Sequence, residues 1–211
     1  MNETLQTIHR RRSVRAFTPT PVPREILEAL VSAGAAAPSP LNNQPWRFVV
    51  VERRSCIEAI ADAVEKKAAS IKDRVSLAAR QDYLTYCRDA VFFRNAGALI
   101  VVLLKPMSGE AREHHWGVPG YFENERRARS DILCIGAAGQ NILLAAESLG
   151  FGACMMLYPL AASNTVSALL GIEAPWEIMC FIPVGVRAGD PPPAPKRRAL
   201  ERIVRYIAEE K

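Results

Sequence analysis

The longest apolar run in the chain covers residues 96–104, and it sets the first constraint on the fold. It is about half as long as the roughly 20 residues that a membrane-spanning helix needs. Within it, residues 97–104 have the length of a strand and lack the polar alternation of a half-exposed strand. Such a run predicts a strand that is buried on both faces.

Helical patterns outweigh strand patterns in the rest of the chain. Helices are predicted over residues 4–11, 23–34, 55 to about 93 with breaks, 130–149, 161–170 and 200–208. Further strands are predicted over residues 47–52, 153–157 and 177–186. Because strands and helices do not alternate cleanly, we expect an α+β fold with one central sheet and a single domain spanning residues 1–211.

Some local details follow from residue type. Pro23 is expected as the first residue of the second helix and Ser55 as the cap of the third. Leu5 and Ile8 are expected on the inner face of the first helix. Residues 105–124 are polar, with Pro and Gly punctuation, and predict a long loop.

Composition is that of an ordinary globular protein, with 211 residues, 49% hydrophobic and 23% charged. The five cysteines are odd in number and widely spaced, which favours buried thiols over a metal or redox site. The N-terminal residues lack the apolar core of a signal peptide, so we expect a cytoplasmic location.

The net charge of +5 comes largely from basic clusters near the two ends of the chain. Such clusters bind nucleic acid in some proteins and one phosphate of a small cofactor in others. In many proteins they are only solvated helix ends. Composition leaves these three interpretations open.

Several familiar sites are missing from the sequence. It contains no G-x-G-x-x-G, no P-loop and no G-x-S-x-G. The three histidines, His9, His114 and His115, do not have the spacing of a zinc site, and we expect no metal.

Two segments are more informative. Residues 11–15, R-R-S-V-R, place three guanidinium groups and a hydroxyl where they are able to hold a phosphate with about two negative charges. Residues 37–48, A-P-S-P-L-N-N-Q-P-W-R-F, join a helix to a strand. Two prolines stiffen this segment, and Ser39, Asn42, Asn43 and Gln44 offer the donors and acceptors that a flavin's pyrimidine edge needs. A polar loop that merely caps a strand is the alternative.

In order, spacing and residue type, R-R-S-x-R-x-F followed by A-P-S-x-x-N-x-Q-P-W-x-F resembles the nitroreductase family. The match is strongest over residues 9–51. Weaker similarity continues through residues 95–102, 135–141 and 149–152, and through Gly185 and residues 196–198. Gly97 stands where many members of the family have Pro.

The resemblance implies a central sheet, mixed but mainly antiparallel, flanked by helices in an intertwined homodimer with FMN at the subunit interface. Residues of one subunit would contact the phosphate and the flavin: Arg11, Arg12, Ser13 and Arg15. The other subunit would contribute Pro38, Ser39, Pro40 and Asn42, with Gln44 nearby. Lys196 and Arg198 would complete the phosphate contacts.

The chemistry implied is that of an NAD(P)H-dependent oxidoreductase. NADH or NADPH would reduce FMN and leave before a nitroaromatic, a quinone or a related small acceptor binds, so the flavin and no protein side chain would carry the reaction. A reductive dehalogenase or a flavin-cleaving enzyme on the same scaffold is an alternative. A flavoprotein without turnover and a non-catalytic nucleic-acid-binding protein are more distant ones.

The sequence departs from the family in one functional place. Met155, Met156, Leu157 and Tyr158 stand where many members carry an acidic residue and a glycine close to the flavin N5, which predicts a more apolar pocket edge. Residues 105–127 are the segment expected to vary with substrate. They form either a lid or a surface excursion, and the lid would contain His114, His115, Trp116, Tyr121 and Phe122.

Overall fold

A computed structural model describes residues 1–105 and 124–207 of the chain. Its α-helices are α1 Glu3–Arg10, α2 Arg24–Ala35, α3 Arg54–Ile71, α4 Arg80–Asp89, α5 Asn124–Ser148 and α6 Ser163–Leu170. Its strands are β1 Trp46–Val51, β2 Ala98–Leu104, β3 Gly152–Ala153 and β4 Glu177–Gly185. Short 3₁₀ turns lie at Pro40–Asn42, Lys72–Arg74, Leu77–Ala79, Phe92–Asn95, Tyr158–Ala162 and Leu200–Arg202.

The strands form a 4-stranded sheet in the order β1-β2-β4-β3. Each pair of neighbouring strands is antiparallel. A parallel bridge between Ser13 and Ala153 adds the segment after α1 to the edge at β3. The α+β class and the mixed, mainly antiparallel sheet are therefore confirmed.

Strand β2 is buried along its whole length, as predicted. Successive side chains of a strand point to opposite faces. Ile100 and Val102 join the core that α2 and α5 cover, whereas Leu99 and Val101 join the core that α3 and α6 cover. Helices thus close both faces of the sheet, and this explains why the run carries no polar alternation.

Most of the predicted helices and strands are confirmed, and the corrections concern ends. Pro23 lies just outside α2, which begins at Arg24. Ser55 caps nothing, because α3 begins at Arg54 and follows Arg53. The strand predicted over residues 153–157 is reduced to β3, after which Met156 makes an isolated bridge to Phe181.

The helix predicted over residues 200–208 is wrong within the described residues, where a 3₁₀ turn at Leu200–Arg202 is followed by irregular chain to Ile207. All residues of the segment 188–207, here called the tail, are exposed. Its apolar side chains pack on no core of their own chain. A short helix without such packing is marginal in water, which accounts for the error.

Two further corrections concern the inner face of α1 and the start of α5. Leu5 and Ile8 are 45% and 43% exposed, so they do not form an inner face of α1 within one chain. Helix α5 begins at Asn124, earlier than predicted, and takes the end of the predicted loop 105–127. The lid candidates His114, His115, Trp116, Tyr121 and Phe122 lie outside the described residues.

The cysteines behave as predicted. All five lie in the described ranges and none is in a disulfide, and Cys134, Cys154 and Cys180 are buried. Burial raises the pKa of the Cys180 thiol to about 12, so this thiol stays neutral at physiological pH. Among residues 1–105 and 124–207, no helix combines the length and hydropathy that crossing a membrane requires.

Candidate functional site

Residues 11–15, here called the basic arm, leave the end of α1 and run beside β3. The backbone N–H of Val14 donates to the carbonyl of Ala153 at 3.1 Å, and Val14 is buried. Because neighbouring side chains of an extended segment alternate in direction, Ser13 and Arg15 lie on the side opposite Val14. The sheet edge therefore fixes the backbone of the arm and presents its polar groups.

Arg12 has a local role that the sequence did not suggest. Its Nη1 donates to the carbonyls of His9, Arg10 and Arg11 at 2.7, 2.9 and 2.9 Å. Carbonyls at the end of a helix have no partner within the helix. Arg12 therefore caps α1 with one end of its guanidinium and stabilises the bend into the arm.

A pocket of about 420 Å³, here called the arm pocket, opens beside the arm. Arg15 forms part of its wall, and the segment after β3 forms another part. The other lining residues are Tyr86, Asp89, Ala90, Phe92, Cys154, Met155, Met156, Leu157 and Tyr158. A cation thus lies in a wall that is otherwise mostly apolar and aromatic.

Cys154 lines the arm pocket, and residues of the basic arm influence the pKa of its thiol. Burial raises the pKa of its thiol, and the charge of Arg15, a hydrogen bond with Ser13 and the charge of Arg11 oppose that rise. Burial prevails, so the thiol is neutral at physiological pH. Three of the predicted phosphate ligands therefore act on the pKa of this one thiol.

Two tyrosines contribute aromatic rings to the arm pocket. The ring of Tyr86 meets that of Tyr158 edge to face, with centroids 4.9 Å apart. The Tyr158 hydroxyl lies 2.9 Å from the Cys87 thiol, and burial raises the pKa of Tyr158, which keeps the hydroxyl protonated. Of the lining residues, Asp89 alone carries a carboxylate.

The segment 38–44, here called the amide loop, is the second predicted cluster. The Ser39 hydroxyl accepts from the backbone N–H of Gln44 at 3.0 Å, and the N–H of Asn42 donates to the Ser39 carbonyl at 3.0 Å. Leu41, Asn42 and Gln44 have left-handed φ values of 53°, 52° and 46°. Non-glycine residues rarely adopt such values, so the loop holds a specific strained shape.

The amide loop does not line the arm pocket of its own chain. Pro38, Pro40, Asn42 and Gln44 are exposed, and Ser39 is partly exposed. The carbonyl oxygen of the Asn43 side chain is buried and accepts no hydrogen bond in the described part of the chain. Within one chain, the structure therefore leaves the two predicted clusters apart.

Lys196 and Arg198 lie in the tail, fully on the surface. Neither lines the arm pocket. Over residues 1–105 and 124–207, no ion pair involves either side chain. These two predicted phosphate ligands therefore do not join Arg15 at the arm pocket within one chain.

The structure adds residues that the motifs did not identify. Tyr86 and Phe92 line the pocket from α4 and the turn after it, and no sequence pattern marked them. Glu147 is buried next to the start of the arm. Glu147 could have been identified from the sequence, because a lone carboxylate in the apolar end of a core helix requires a partner.

The sequence profile of the nitroreductase family matches residues 8–186. The chain belongs to the nitroreductase family. A Methanothermobacter thermautotrophicus protein named "Putative NADH dehydrogenase/NAD(P)H nitroreductase" is 28% identical over 193 residues, covering 90% of this chain and 80% of that protein.

Solved structures show the same fold. A BluB-like flavoprotein from Clostridium difficile 630 has a TM-score of 0.85 and 29% identity, covering 99% of this chain and 100% of that one. A structure named "putative nitroreductase in complex with fmn", from Desulfovibrio desulfuricans, has a TM-score of 0.68 and 27% identity, covering 100% and 99% of the two chains. The predicted family is confirmed, and its members support the function proposed below.

Proposed function

We propose that this nitroreductase-family protein is an FMN-dependent oxidoreductase that takes electrons from NADH or NADPH and reduces a small acceptor, such as a nitroaromatic or a quinone. One observation carries the proposal: Arg15 belongs both to the basic arm and to the wall of the arm pocket. An anion-binding segment thus meets an apolar pocket, as a flavin with a phosphate requires. The FMN complex of the Desulfovibrio desulfuricans relative supports the same cofactor.

The basic arm has the donors that a phosphate needs. Arg11 and Arg15 form no ion pair with another residue in the described ranges, so their charges are available to a ligand. Guanidinium groups bind phosphate through charge-assisted hydrogen bonds, often two at a time. Ser13, which lies between them, would add a hydroxyl donor.

The arm pocket has the character that a flavin ring needs. Bound FMN would supply the redox chemistry, accepting electrons from the nicotinamide and passing them to the acceptor in a separate binding event. Met155, Met156 and Tyr158 would cover the ring and exclude water from it. Arg15 would stabilise the negative charge that the reduced ring carries.

We propose that the remaining contacts come from a second copy of the chain. The amide loop and the tail lie away from the arm pocket of their own chain, and a partner related by two-fold symmetry would bring them to it. Pro38, Ser39, Pro40, Asn42 and Gln44 would then face the flavin, and Lys196 and Arg198 its phosphate.

Exposed apolar side chains support this assembly. They lie on α1, on the first half of α5 and in the tail, and a monomer would leave them in water. The members are Leu5, Ile8, Ile132, Leu133, Leu200, Ile203, Tyr206 and Ile207.

The largely apolar and aromatic lining of the arm pocket favours an uncharged aromatic acceptor. A reductive dehalogenase or a flavin-cleaving enzyme would use the same FMN site, so the acceptor decides between these reactions. Steady-state turnover with nitroaromatics, quinones and halogenated aromatics compares them directly. A clear preference for a halogenated substrate would replace the nitroreductase proposal.

The test is an anaerobic absorbance titration of the purified protein with NADH and with NADPH. It shows whether a flavin is bound, which nicotinamide donates electrons and whether the bound flavin is reduced. We expect a yellow protein whose flavin absorbance is bleached by one of the nicotinamides and restored by an acceptor. Mass spectrometry of the released cofactor should give FMN. A colourless protein, or one that releases FAD, would contradict the proposal.

A further inference from the structure

A buried carboxylate at the end of α5 is held by two arginines from different parts of the chain. The Glu147 side chain is 4% exposed. Arg10 donates from Nε to its Oε1 at 2.9 Å, and Arg187 donates from Nη2 to its Oε2. A buried charge is costly unless it is paired and hydrogen-bonded, and here both oxygens are engaged.

The two arginines lie next to the two ends of the segment that contains the basic arm. Arg10 is the last residue of α1, and the arm begins at the next residue. Arg187 forms a bridge with Phe17, two residues beyond the arm, and the N–H of Ala188 donates to the carbonyl of Ala16 at 3.0 Å. Glu147 therefore ties both ends of the arm to one helix.

The packing beneath the arm is close and depends on the same residues. A Cβ on Gly152 would lie 2.7 Å from Val14 Cγ1 and 3.0 Å from Arg187 Cγ. Arg187 also donates from Nη2 to the carbonyl of Phe151 at 3.2 Å. The arm, β3 and Arg187 thus contact one another with no spare room, so a movement of Arg187 would be transmitted to Val14.

We propose that Glu147 is a positioning residue for the FMN phosphate, and this inference rests on the function proposed above. Through Arg10 and Arg187, it would hold Arg11, Ser13 and Arg15 in the one arrangement that surrounds a phosphate. Charge-assisted hydrogen bonds lose strength steeply when donors move by fractions of an ångström. Glu147 would act only through the arginines, because its carboxylate repels a phosphate.

Positioning and simple electrostatics make opposite predictions for this residue. Removing a negative charge beside several arginines should strengthen the binding of an anion if charge alone matters. If position matters, Glu147→Gln should weaken the binding of FMN and leave that of riboflavin, which has no phosphate. The comparison of the two flavins therefore separates a role towards the phosphate from a general role in stability.

The experiment is a fluorescence titration of the apoprotein with FMN and with riboflavin. It compares wild type, Glu147→Gln, Arg10→Gln and the double variant. Glu52→Gln, which breaks the ion pair with Arg24 elsewhere in the fold, is the matched control. We expect Glu147→Gln to lower FMN affinity about tenfold and riboflavin affinity less than about twofold. Arg10→Gln should act in the same direction, and the double variant should be no worse than Glu147→Gln because Glu147→Gln has already broken the pair with Arg10.

Several outcomes would overturn the inference. They are an unchanged or raised FMN affinity in Glu147→Gln, and an equal loss for both flavins. If Glu147→Gln does not fold, Arg10→Lys decides, because Arg10 is 60% exposed and lysine keeps the charge without the Nε donor. A selective loss of FMN affinity in Arg10→Lys supports positioning, and an unchanged preference overturns it.

The wild type separates this inference from the proposed function. If it binds both flavins equally, the arm does not hold a phosphate, and the inference fails while a flavin-dependent function stands. If it binds neither flavin, the proposed function fails and the inference with it.

Discussion

The basic arm and the amide loop are both predicted to bind the cofactor, yet they differ in how the fold holds them and in how exposed they are. The arm is fixed along β3, with Val14 buried and Arg15 in the wall of a pocket. The amide loop is held mainly by its own hydrogen bonds, and Asn42 and Gln44 are exposed. One chain thus builds half of the proposed site and exposes the other half. This difference is the reason for the proposal that a second subunit supplies the missing contacts, and the following experiments test that proposal.

The largest expected effect is the recovery of binding in mixed dimers. A variant with Arg11→Ala and Arg15→Ala and a variant with Asn42→Ala and Gln44→Ala should each lose tight FMN binding, because each lacks polar groups that one subunit would contribute to every site. Unfolding the two variants together and refolding them should restore roughly a quarter of the sites, because half of the randomly formed dimers would contain one intact site. Flavin content per subunit after gel filtration measures this.

Two controls make the complementation decisive. Each variant refolded alone should bind no better than before, and a mixture made without unfolding should stay inactive. If the co-refolded mixture binds no better than its parents, or if a monomer retains FMN, the arm and the amide loop do not share a site.

Removal of the Arg15 cation should have the next largest effect. Arg15→Ala should weaken FMN binding ten- to hundredfold, since a hydrogen bond to a charged group contributes about 1.5–3 kcal/mol. The flavin's reduction potential should fall as well, because the reduced form loses a stabilising charge. Titration calorimetry and a spectroelectrochemical titration measure the two quantities.

The matched control for Arg15 is Arg53→Ala, which removes an exposed guanidinium that lies between β1 and α3 and does not line the arm pocket. It should leave both affinity and potential unchanged. Equal behaviour of the two variants would mean that the basic arm is only a solvated segment.

Changes in the tail should lower FMN affinity by a smaller amount, and the effect should differ between neighbouring residues. In an extended segment, Lys196 and Arg198 point to one side and Arg197 to the other. Changing Lys196 and Arg198 together to Ala should lower FMN affinity about three- to tenfold, as expected for partly solvated charge pairs. Arg197→Ala is the internal control, and a loss as large as that of the pair would contradict the assignment.

The smallest effect is expected for Ser39, which helps to hold the shape of the amide loop. Ser39→Ala removes the acceptor for the N–H of Gln44, and one such bond contributes about 0.5–1.5 kcal/mol. The free energy of unfolding in urea should fall by about that amount, and FMN affinity should fall slightly as the loop loses its shape. Ser32→Ala, an exposed change near the end of α2, should alter neither. A Ser39→Ala variant with unaltered unfolding would show that the loop shape does not depend on this bond.

The reach of the sequence differs between fold and site. The burial of β2 could be predicted because an uninterrupted apolar strand is stable only between two layers. The helix over residues 200–208 could not be predicted correctly, because its apolar residues have no surface of the same chain on which to pack. The predicted inner face at Leu5 and Ile8 is wrong within one chain for the same reason. Helical spacing identifies an apolar face and does not say what covers it.

By itself, the sequence determined the family, the α+β class, the buried central strand and the chemical types gathered in the arm and the amide loop. These follow from local spacing, which the chain carries along its length. The tertiary structure decided that Arg15 joins Met155 and Tyr158 in one pocket, and that Glu147 ties both ends of the arm to α5. The reason is physical, because contacts between residues tens to more than a hundred positions apart depend on how the helices pack around the sheet, and no local pattern records that packing.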